Sequence, residues 1–329
     1  MTTPSSAQSP TPLVASLSRL NLQQYVVYIG FVAIFLFFAV TLHDNGFLTQ
    51  RNLVNIILQT APATIMAIGL VFALSAGEID LSFGSTVAVS ALSAAMVMAA
   101  VPDLAFPLGI LAGIGAGLTI GFINGALVAY LRLPSFLVTL ATMGLFAGVA
   151  RSLTNLRSIP VLDGTFTGIF GSGSLFGIPS LVLWTIAAVL VGHFVYRQTR
   201  FGAHVLATGD NARAAMVTGI RVPRIRLLVF MICGGMAGLA GLLYAGRLQA
   251  ARYTLGEADL MTVIAAVIVG GTLLHGGKGT IIGALVGSLM MGMLNNGLIL
   301  MGLSVSDQMI VRGLIILVAV AVSLREKAR

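Results

Sequence analysis

Long apolar stretches separated by short polar segments dominate this chain. A helix that crosses a membrane needs about 20 mostly apolar residues, and ten stretches reach or approach that length: 25–42, 53–76, 84–101, 105–131, 136–151, 180–196, 227–246, 260–275, 280–301 and 308–324. The alternating pattern that marks the strands of a membrane barrel is missing from the sequence. We therefore predict an all-α integral membrane protein with about ten transmembrane helices, among which 136–151 and 260–275 are the shortest candidates.

The composition supports this prediction. Of the 329 residues, 57% are hydrophobic and 9% are charged, which is far from the balance of a soluble domain. Residues 1–24 are instead rich in Ser, Thr, Pro and Gln, and this composition predicts a disordered cytoplasmic tail. Residues 25–329 are predicted to form a single transmembrane domain.

The positions of Lys and Arg predict the orientation, because cytoplasmic loops collect these residues. Ten spans with a cytoplasmic N-terminus leave 12 of the 18 Lys and Arg residues inside and Arg312 within the last span. The remaining five lie in outer loops: Arg51, Arg151, Arg157, Arg247 and Arg252. Both termini are therefore expected in the cytoplasm, and the net charge of +8 reflects topology. No nucleic-acid partner is expected, since basic residues interleaved with aromatics on a soluble face are missing from the sequence.

Two short motifs occur twice. The pentapeptide GEIDL at 77–81 returns as GEADL at 256–260, and the two copies hold four of the ten acidic residues. GFIN at 121–124 similarly aligns with GMLN at 292–295. Chance matches between two halves rich in Gly, Leu and Ala are the alternative explanation.

The repeat predicts two halves of five spans each, and the repeated sequence itself covers roughly 53–151 and 227–324. An odd number of spans places the second half upside down relative to the first. Inverted halves are common in transporters, where they close alternately around a central path.

Polar residues next to or inside the apolar stretches are candidates for such a path. Glu78 and Asp80 lie between two spans, where they either serve a path or cap the helix that follows. Asn124, Asn295 and Asn296 lie inside spans, and each amide needs either a neighbouring helix or a hydroxylated solute as its partner.

The residues offer little support for a metal site or an enzyme. Cys233 is the only cysteine and lies in an apolar stretch, which excludes disulfides within the chain. The four histidines have no ligand spacing. No metal and no cofactor are therefore expected, and no nucleophile, base and metal set lies together in the sequence.

From about residue 50 to the C-terminus the chain resembles a known family, the membrane permeases of ABC sugar importers of the ribose-transport type. The segments that carry the resemblance are GEIDLSFGS (77–85), GFINGALVAYLRLPSFLVTL (121–140), GDNARAAMVTGI (209–220), IAAVIVGGTLLHGGKGTIIGALVG (264–287) and LNNGLILMG (294–302). The family commonly has Gly-Gly-Ile-Asp-Leu at the first segment, so Glu78 departs from the pattern.

The resemblance implies a permease subunit in a bacterial inner membrane that moves a monosaccharide or a related small polyhydroxylated solute. Its implied partners are a separate ABC ATPase, a periplasmic sugar-binding protein, membrane lipid and a second permease chain, identical or different. The chain itself is not expected to bind ATP: GGKGT at 276–280 resembles a phosphate loop, but Thr272 stands where its first glycine is required. The alternatives are an ion-coupled secondary transporter that uses Glu78 and Asp80, or a membrane-embedded enzyme.

The basic segment 197–226 is the longest predicted cytoplasmic loop. Asp210 or Asn211 can cap a short helix from Ala212 to Thr218, which Gly219 would end. The resemblance implies that this helix contacts the ATPase through five residues: Gly209, Asn211, Ala214, Ala215 and Gly219. The alternative is an ordinary basic loop that only sets the topology.

On the outer side, the resemblance gives the second acidic motif a possible partner. Glu257 and Asp259 are candidates for contacts with the sugar-binding protein. Trp184, Tyr244 and Tyr253 can stack on a sugar, and anchoring at the membrane interface explains them equally well.

Overall fold

The computed structural model of the protein describes residues 22–311, 313, 314 and 317, and these are mostly helical. The helices are α1 (Leu22–Thr41), α2 (Gln50–Ser75), α3 (Phe83–Ala100), α4 (Ala105–Ala129), α5 (Ser135–Thr154), α6 (Gly164–Thr167), α7 (Ser180–Gln198), α8 (Arg200–Asp210), α9 (Ala212–Val217), α10 (Val222–Leu248), α11 (Asp259–Val269) and α12 (Ile281–Leu300). Two short antiparallel strand pairs join β1 (Ile159–Pro160) to β4 (Ala250–Ala251) and β2 (Ser174–Leu175) to β3 (Ile178–Pro179).

Seven helices in the described part of the chain are long and apolar enough to cross a membrane: α2, α3, α4, α5, α7, α10 and α12. The short candidate 136–151 proves to be a 20-residue helix. The candidate 260–275 does not form a helix of that length, because α11 has 11 residues and ends at Val269. Such a helix is about 16 Å long, roughly half the apolar thickness of a bilayer.

Two predicted segments, the N-terminal tail 1–24 and the last span 308–324, lie mostly outside the described residues. The span 308–324 lies mostly outside them, although residues 305–311 are helical. Of the predicted tail 1–24, residues 22–24 belong to α1, and the rest lies outside the described residues.

The centre of the bundle is formed by α2, α3 and α10, which carry most of the fully buried apolar side chains. Small residues let α10 pack closely against α4. A Cβ atom on Gly117 would overlap the backbone carbonyl oxygen of Gly234, so only glycine fits there. By contrast, α4 and α5 expose large apolar side chains such as Leu111, Phe122 and Leu137, as expected of helices that face lipid.

The bundle has two ends, which we name by one residue each. At the Gly209 end, the backbone N–H of Gly277 donates to Ser75 O at 3.0 Å, and Gly209 packs against both residues. At the Glu257 end, Arg151 at the end of α5 pairs with Glu257. Helix α10 runs from the first end to the second.

The two copies of the acidic motif lie in loops that enter the bundle from opposite ends. The first loop, 76–82, starts at the Gly209 end, where Gly77 lies near Gly209. The second loop, 249–258, starts at the Glu257 end after α10. The two chain segments touch inside the bundle, because a Cβ atom on Gly84 would lie 2.8 Å from the carbonyl oxygen of Gly256. A residue three positions after the first motif therefore contacts the first residue of the second motif.

Candidate functional site

Glu78 is buried and paired with an arginine. Its Oε1 lies 2.6 Å from Nε of Arg226, near the start of α10. Burial raises the pKa of Glu78 above its ordinary value, whereas the charge of Arg226 and a hydrogen bond from Ser135 act to lower the pKa. The side chain therefore connects the loop 76–82 to α10 and α5. Nothing in the sequence pattern identified Arg226 as the partner, because the two residues are distant along the chain.

Asp80 is fully enclosed at the start of α3. Its Oδ1 accepts hydrogen bonds from the Ser82 backbone N–H at 2.8 Å and from the Ser82 hydroxyl at 2.7 Å, and the Cys233 thiol lies beside the carboxyl. Asn124 on α4 donates from Nδ2 to the Ser82 hydroxyl oxygen at 2.7 Å. These bonds hold the turn before α3 together. Both alternatives for Asp80, a helix cap or a solute path, stay predictions, as does a role for Asn124 in the path.

The structure separates the two acidic residues of the second motif. Glu257 is exposed and pairs with Arg151 at 2.5 Å, and the Arg151 guanidinium lies 5.8 Å from the ring centre of Tyr253. Asp259 instead lies deeper, where its Oδ2 accepts a hydrogen bond from the Tyr244 hydroxyl at 2.6 Å. Glu257 is exposed and Asp259 is half-buried, and the contact of both residues with a sugar-binding protein stays a prediction.

A polar cavity of about 220 Å³ lies between α2, α10, α11 and α12. Its wall includes the side chains of Gln59, Tyr244, Arg247, Asp259, Ser288 and Asn295. Tyr244 lies near the end of α10, and Asp259 is the first residue of α11. The two helices bring both side chains to the wall of this cavity. The wall thus contains one cation, one anion and several uncharged hydrogen-bonding groups. Arg247 and Asp259 were assigned no role in a cavity by sequence reasoning.

The neighbouring asparagines of α12 face different surroundings. Asn295 lines the cavity. Asn296 forms a reciprocal amide pair with Asn52 of α2, with N–O distances of 3.0 and 2.9 Å. The pair of Asn296 and Asn52 therefore joins α12 to α2.

The predicted short helix after Asn211 is present. Oδ1 of Asn211 accepts hydrogen bonds from the backbone N–H groups of Arg213 and Ala214 at 3.1 and 3.0 Å, so Asn211 is the cap. The helix runs over Ala212–Val217, and Gly219 follows with φ +89°. The sequence prediction of a short capped helix is therefore confirmed. The contact of this helix with an ATPase stays a prediction.

The two alanines predicted to contact the ATPase lie on different faces of α9. Ala215 is 4% exposed because it packs against the rest of the protein. Ala214 is exposed, and so are Met216 (51%) and Val217 (89%) at the tip of the helix. Sequence reasoning missed Met216 and Val217, whose exposure in a polar segment is visible only once the helix is placed.

Gly209 is half-buried and lies against backbone atoms at the base of this surface. A Cβ atom there would overlap Ser75 O and lie 2.7 Å from the Gly277 backbone N. Beside α9, a groove is lined by Tyr130, Ile220, Arg221 and Arg224, among others. The surface at this end is therefore basic with an exposed apolar tip.

Comparison with known proteins supplies the family. Residues 52–320 match the family model described as branched-chain amino acid transport system / permease component. The chain belongs to this permease family. Helices α2 to α12 all fall within the matched range, except for the first two residues of α2.

Several curated relatives are similar over most of their length. The ribose import permease protein of Escherichia coli K12 is 39% identical, covering 86% of this chain and 88% of the relative. The ribose import permease protein of Bacillus subtilis 168 is 37% identical, covering 88% and 89%. The xylose transport system permease protein of Escherichia coli K12 is 32% identical, covering 96% and 95%. No solved structure is detectably similar to the chain.

Proposed function

We propose that the chain is the transmembrane permease subunit of an ATP-binding-cassette importer for a monosaccharide or a related small polyhydroxylated solute. The observation that carries this proposal is its similarity, over nearly the whole chain, to ribose and xylose permeases. The helical bundle with seven long apolar helices is the scaffold such a subunit needs. ATP is hydrolysed by a separate subunit, and this chain is not itself an enzyme.

The Gly209 end faces the cytoplasm of a bacterial cell and the Glu257 end faces outward. The distribution of Lys and Arg supports this orientation, which places both termini in the cytoplasm of the inner membrane. The two halves, 53–151 and 227–324, are related as inverted repeats within one permease domain, with about ten helices in total. The contact between Gly84 and Gly256, reached from opposite ends, supports the inverted arrangement.

The surface of α9 transmits ATP-driven movement. Ala214, Met216 and Val217 offer an exposed apolar tip that can seat in a groove of the ATPase, and Asn211 and Gly219 define the two ends of the helix. Ala215 and Gly209 support the helix from inside, since both pack within the chain.

The ion pair between Glu78 and Arg226 gives the movement a route inward. Arg226 follows α9 in the chain, near the start of α10. Its guanidinium pairs with Glu78 and so holds the loop that also carries Asp80. A shift of α9 would therefore reach the start of α3, where Asp80 and Asn124 are linked through Ser82.

Two further contacts complete the assembly. Glu257 is exposed at the outer rim and is the candidate contact for the periplasmic sugar-binding protein. A second permease chain, identical or different, packs beside this one in the membrane. The exposed side of α5 supports that contact, because Gly144 and Gly148 lie there with open space around them and small residues favour helix contacts in lipid.

Transport by the assembled complex tests the proposal. The chain, its ATPase and its binding protein are reconstituted in vesicles, and uptake of D-ribose and D-xylose is measured with and without ATP. Uptake of a sugar that requires ATP, the ATPase and the binding protein is the expected result. Uptake driven by an ion gradient with this chain alone would instead establish the secondary-transporter alternative.

A further inference from the structure

The segment before α7 exposes large apolar side chains but carries no charge. Residues 164–196 contain no Asp, Glu, Lys or Arg. The paired strands β2 and β3 form a hairpin whose tip is Phe176 and Gly177, both with positive φ. Phe176 is 95% exposed, and the flanking Leu175 and Ile178 are exposed as well. An apolar tip of this kind is unusual on a surface that faces water and is typical of a segment that enters a membrane.

A groove of about 550 Å³ lies between this hairpin and the first turns of α7. Its lining residues are uncharged and include Ile169, Leu175, Leu183 and Trp184. Trp184 is held in place, because its Nε1–H donates to Ile169 O at 3.0 Å and its ring stacks on Phe170 with a centre distance of 5.1 Å. The groove is therefore a preformed apolar surface.

The position of the groove along α7 places it within the apolar layer of a membrane. The groove lies at the Glu257 end of the bundle, because Gly171 beside it packs against Gly246 near the end of α10. Helix α7 has 19 residues and so is about 28 Å long, which nearly spans the roughly 30 Å apolar layer of a bilayer. The groove follows α7 from Ser180, its first residue, to Ala187, a distance of about 10 Å along the helix. It therefore lies beside the leaflet at the Glu257 end.

The groove continues into the apolar face that α7 exposes along its length. Leu183 and Ala187 line the groove. Leu190 and Phe194, 65% and 60% exposed, follow at the spacing of three and four residues that places side chains on one helix face. Because α7 is long and apolar enough to cross a membrane, this face contacts lipid. The groove is therefore open to the acyl chains that surround the helix.

The shape of the groove favours a single acyl chain over a helix of another protein. The Ser180 backbone N–H donates to Gly173 O at 2.8 Å, which holds the hairpin over the start of α7 and closes the groove at that end. A helix is about 10–12 Å wide, so one turn occupies roughly 400–600 Å³ and would fill the whole groove without continuing past the hairpin. A flexible hydrocarbon chain can end there, and it gains close packing against the walls.

We propose that this groove binds one acyl chain of a membrane phospholipid and that the hairpin tip at Phe176 enters the same leaflet and covers the bound chain. Because no lining residue is charged, the groove recognises the hydrocarbon chain and not the headgroup. The site lies on the lipid-facing side of α7, apart from the polar cavity between α2, α10, α11 and α12. It therefore adds a lipid partner to the proposed transport function and does not depend on that function.

Retention of lipid tests the site. The full chain is purified in a mild detergent and supplied with equal amounts of phosphatidylethanolamine and phosphatidylglycerol, and the lipids that stay bound are counted by native mass spectrometry. Ala187→Phe fills the groove from an exposed position, and Ala33→Phe is the matched control, because Ala33 is an exposed alanine of α1 outside the groove. We expect one lipid per chain, with either headgroup, in the unsubstituted protein and in Ala33→Phe, and none in Ala187→Phe. Phe176→Ser removes only an exposed side chain and should lower the fraction of lipid-bound chains severalfold.

Trp184 locates the bound chain, because it is the only tryptophan in the protein. Phosphatidylcholine with brominated acyl chains, added to the same detergent solution, should quench most of the Trp184 fluorescence in the unsubstituted protein and little of it in Ala187→Phe. Trp184→Phe gives the background signal.

The other outcomes would overturn the proposal. Lipid retained equally by Ala187→Phe, or by no form of the protein, would remove the site, as would quenching that Ala187→Phe leaves unchanged. Retention of phosphatidylglycerol alone would show recognition of a headgroup and not of a chain. Cross-linking of two chains through Phe176→Cys in a Cys233→Ala background, with no lipid retained, would show that a second copy covers the groove instead.

Discussion

Single buried polar residues in this protein mostly hold loops against helices. Glu78 is tied to Arg226, Asp80 to Ser82, and Asn296 to Asn52. Their types could be read as functional from the sequence, because charges and amides are expensive in an apolar bundle. Their partners could not be read, since each depends on which helices become neighbours.

The pair of Glu78 and Arg226 gives a prediction at this scale. Arg226→Met leaves a buried carboxylate unpaired, and we expect a loss of about 1–3 kcal/mol in the free energy of unfolding. This is less than the roughly 3–5 kcal/mol for fully buried pairs, because 32% of the Arg226 side chain is exposed. Melting of the solubilised complex measures the loss.

The dependence on pH checks the cause. Burial already raises the pKa of Glu78, and removing Arg226 takes away the charge that opposes this shift. Protonation then relieves the unpaired charge, so the deficit of Arg226→Met should shrink as the pH is lowered. Glu78→Gln in the same chain should recover much of the loss, and Arg224→Met should cost little because Arg224 is exposed. A deficit that grows at low pH would contradict the assignment.

Gly209 gives a second prediction for a single residue. A Cβ atom would overlap the Ser75 carbonyl, so Gly209→Ala should lower the melting temperature of the complex by several degrees. Gly115→Ala is the matched control, because a Cβ atom there meets open space and alanine favours a helix. Equal melting temperatures for the two variants would show that the close contact at Gly209 does not matter.

At the scale of elements, the two ends of α10 show how short segments direct the surface. At one end α9 is a capped helix of six residues whose inner face holds Ala215 and whose tip exposes Val217. At the other end, loop 249–258 separates α10 from α11, and α11 covers only part of the apolar run 260–275. Hydrophobicity correctly predicted that α9 lies in a polar segment and α11 in an apolar one. It did not predict that α11 ends early, at Gly270 and Gly271, where Gly271 has φ +90°.

The faces of α9 predict different outcomes for two similar substitutions. Ala215→Trp inserts a large ring into a packed position, so it should destabilise the protein by about 1–3 kcal/mol or more. Ala214→Trp and Val217→Asp alter only the exposed tip, so they should preserve the melting temperature and reduce co-purification of the ATPase.

The control for this helix is an equally exposed apolar residue elsewhere. Leu162→Asp changes such a residue, 86% exposed and outside α9, and should leave ATPase binding intact. Normal ATPase binding and stimulated hydrolysis in Ala214→Trp and Val217→Asp would mean that 209–220 only sets the topology.

For the whole molecule, the sequence predicts the class of protein and most helix positions, but not the meeting of its two halves. The apolar stretches locate α2, α3, α4, α7, α10 and α12 closely, because period and length depend on local residues. The contact between Gly84 and Gly256, and the cavity beside Tyr244, depend instead on how deeply two loops enter the bundle. How deeply each loop enters is set by its packing against helices that are distant in the sequence, and no local sequence pattern predicts that packing.

The orientation of the whole molecule gives the last prediction. If cytoplasmic loops collect Lys and Arg, position 217 in α9 faces the cytoplasm and position 162 faces outward. Val217→Cys and Leu162→Cys place thiols at two strongly exposed sites, and Cys233→Ala removes the only other thiol. An impermeant thiol reagent added to intact spheroplasts should label 162 alone, and inside-out vesicles should reverse the result. The chain with Cys233→Ala alone is the control for background. Labelling of both positions from one side would refute the arrangement in which α7 crosses the membrane between them. Exchanged sides would invert every assignment that depends on the charge count, including the contacts proposed for α9 and Glu257.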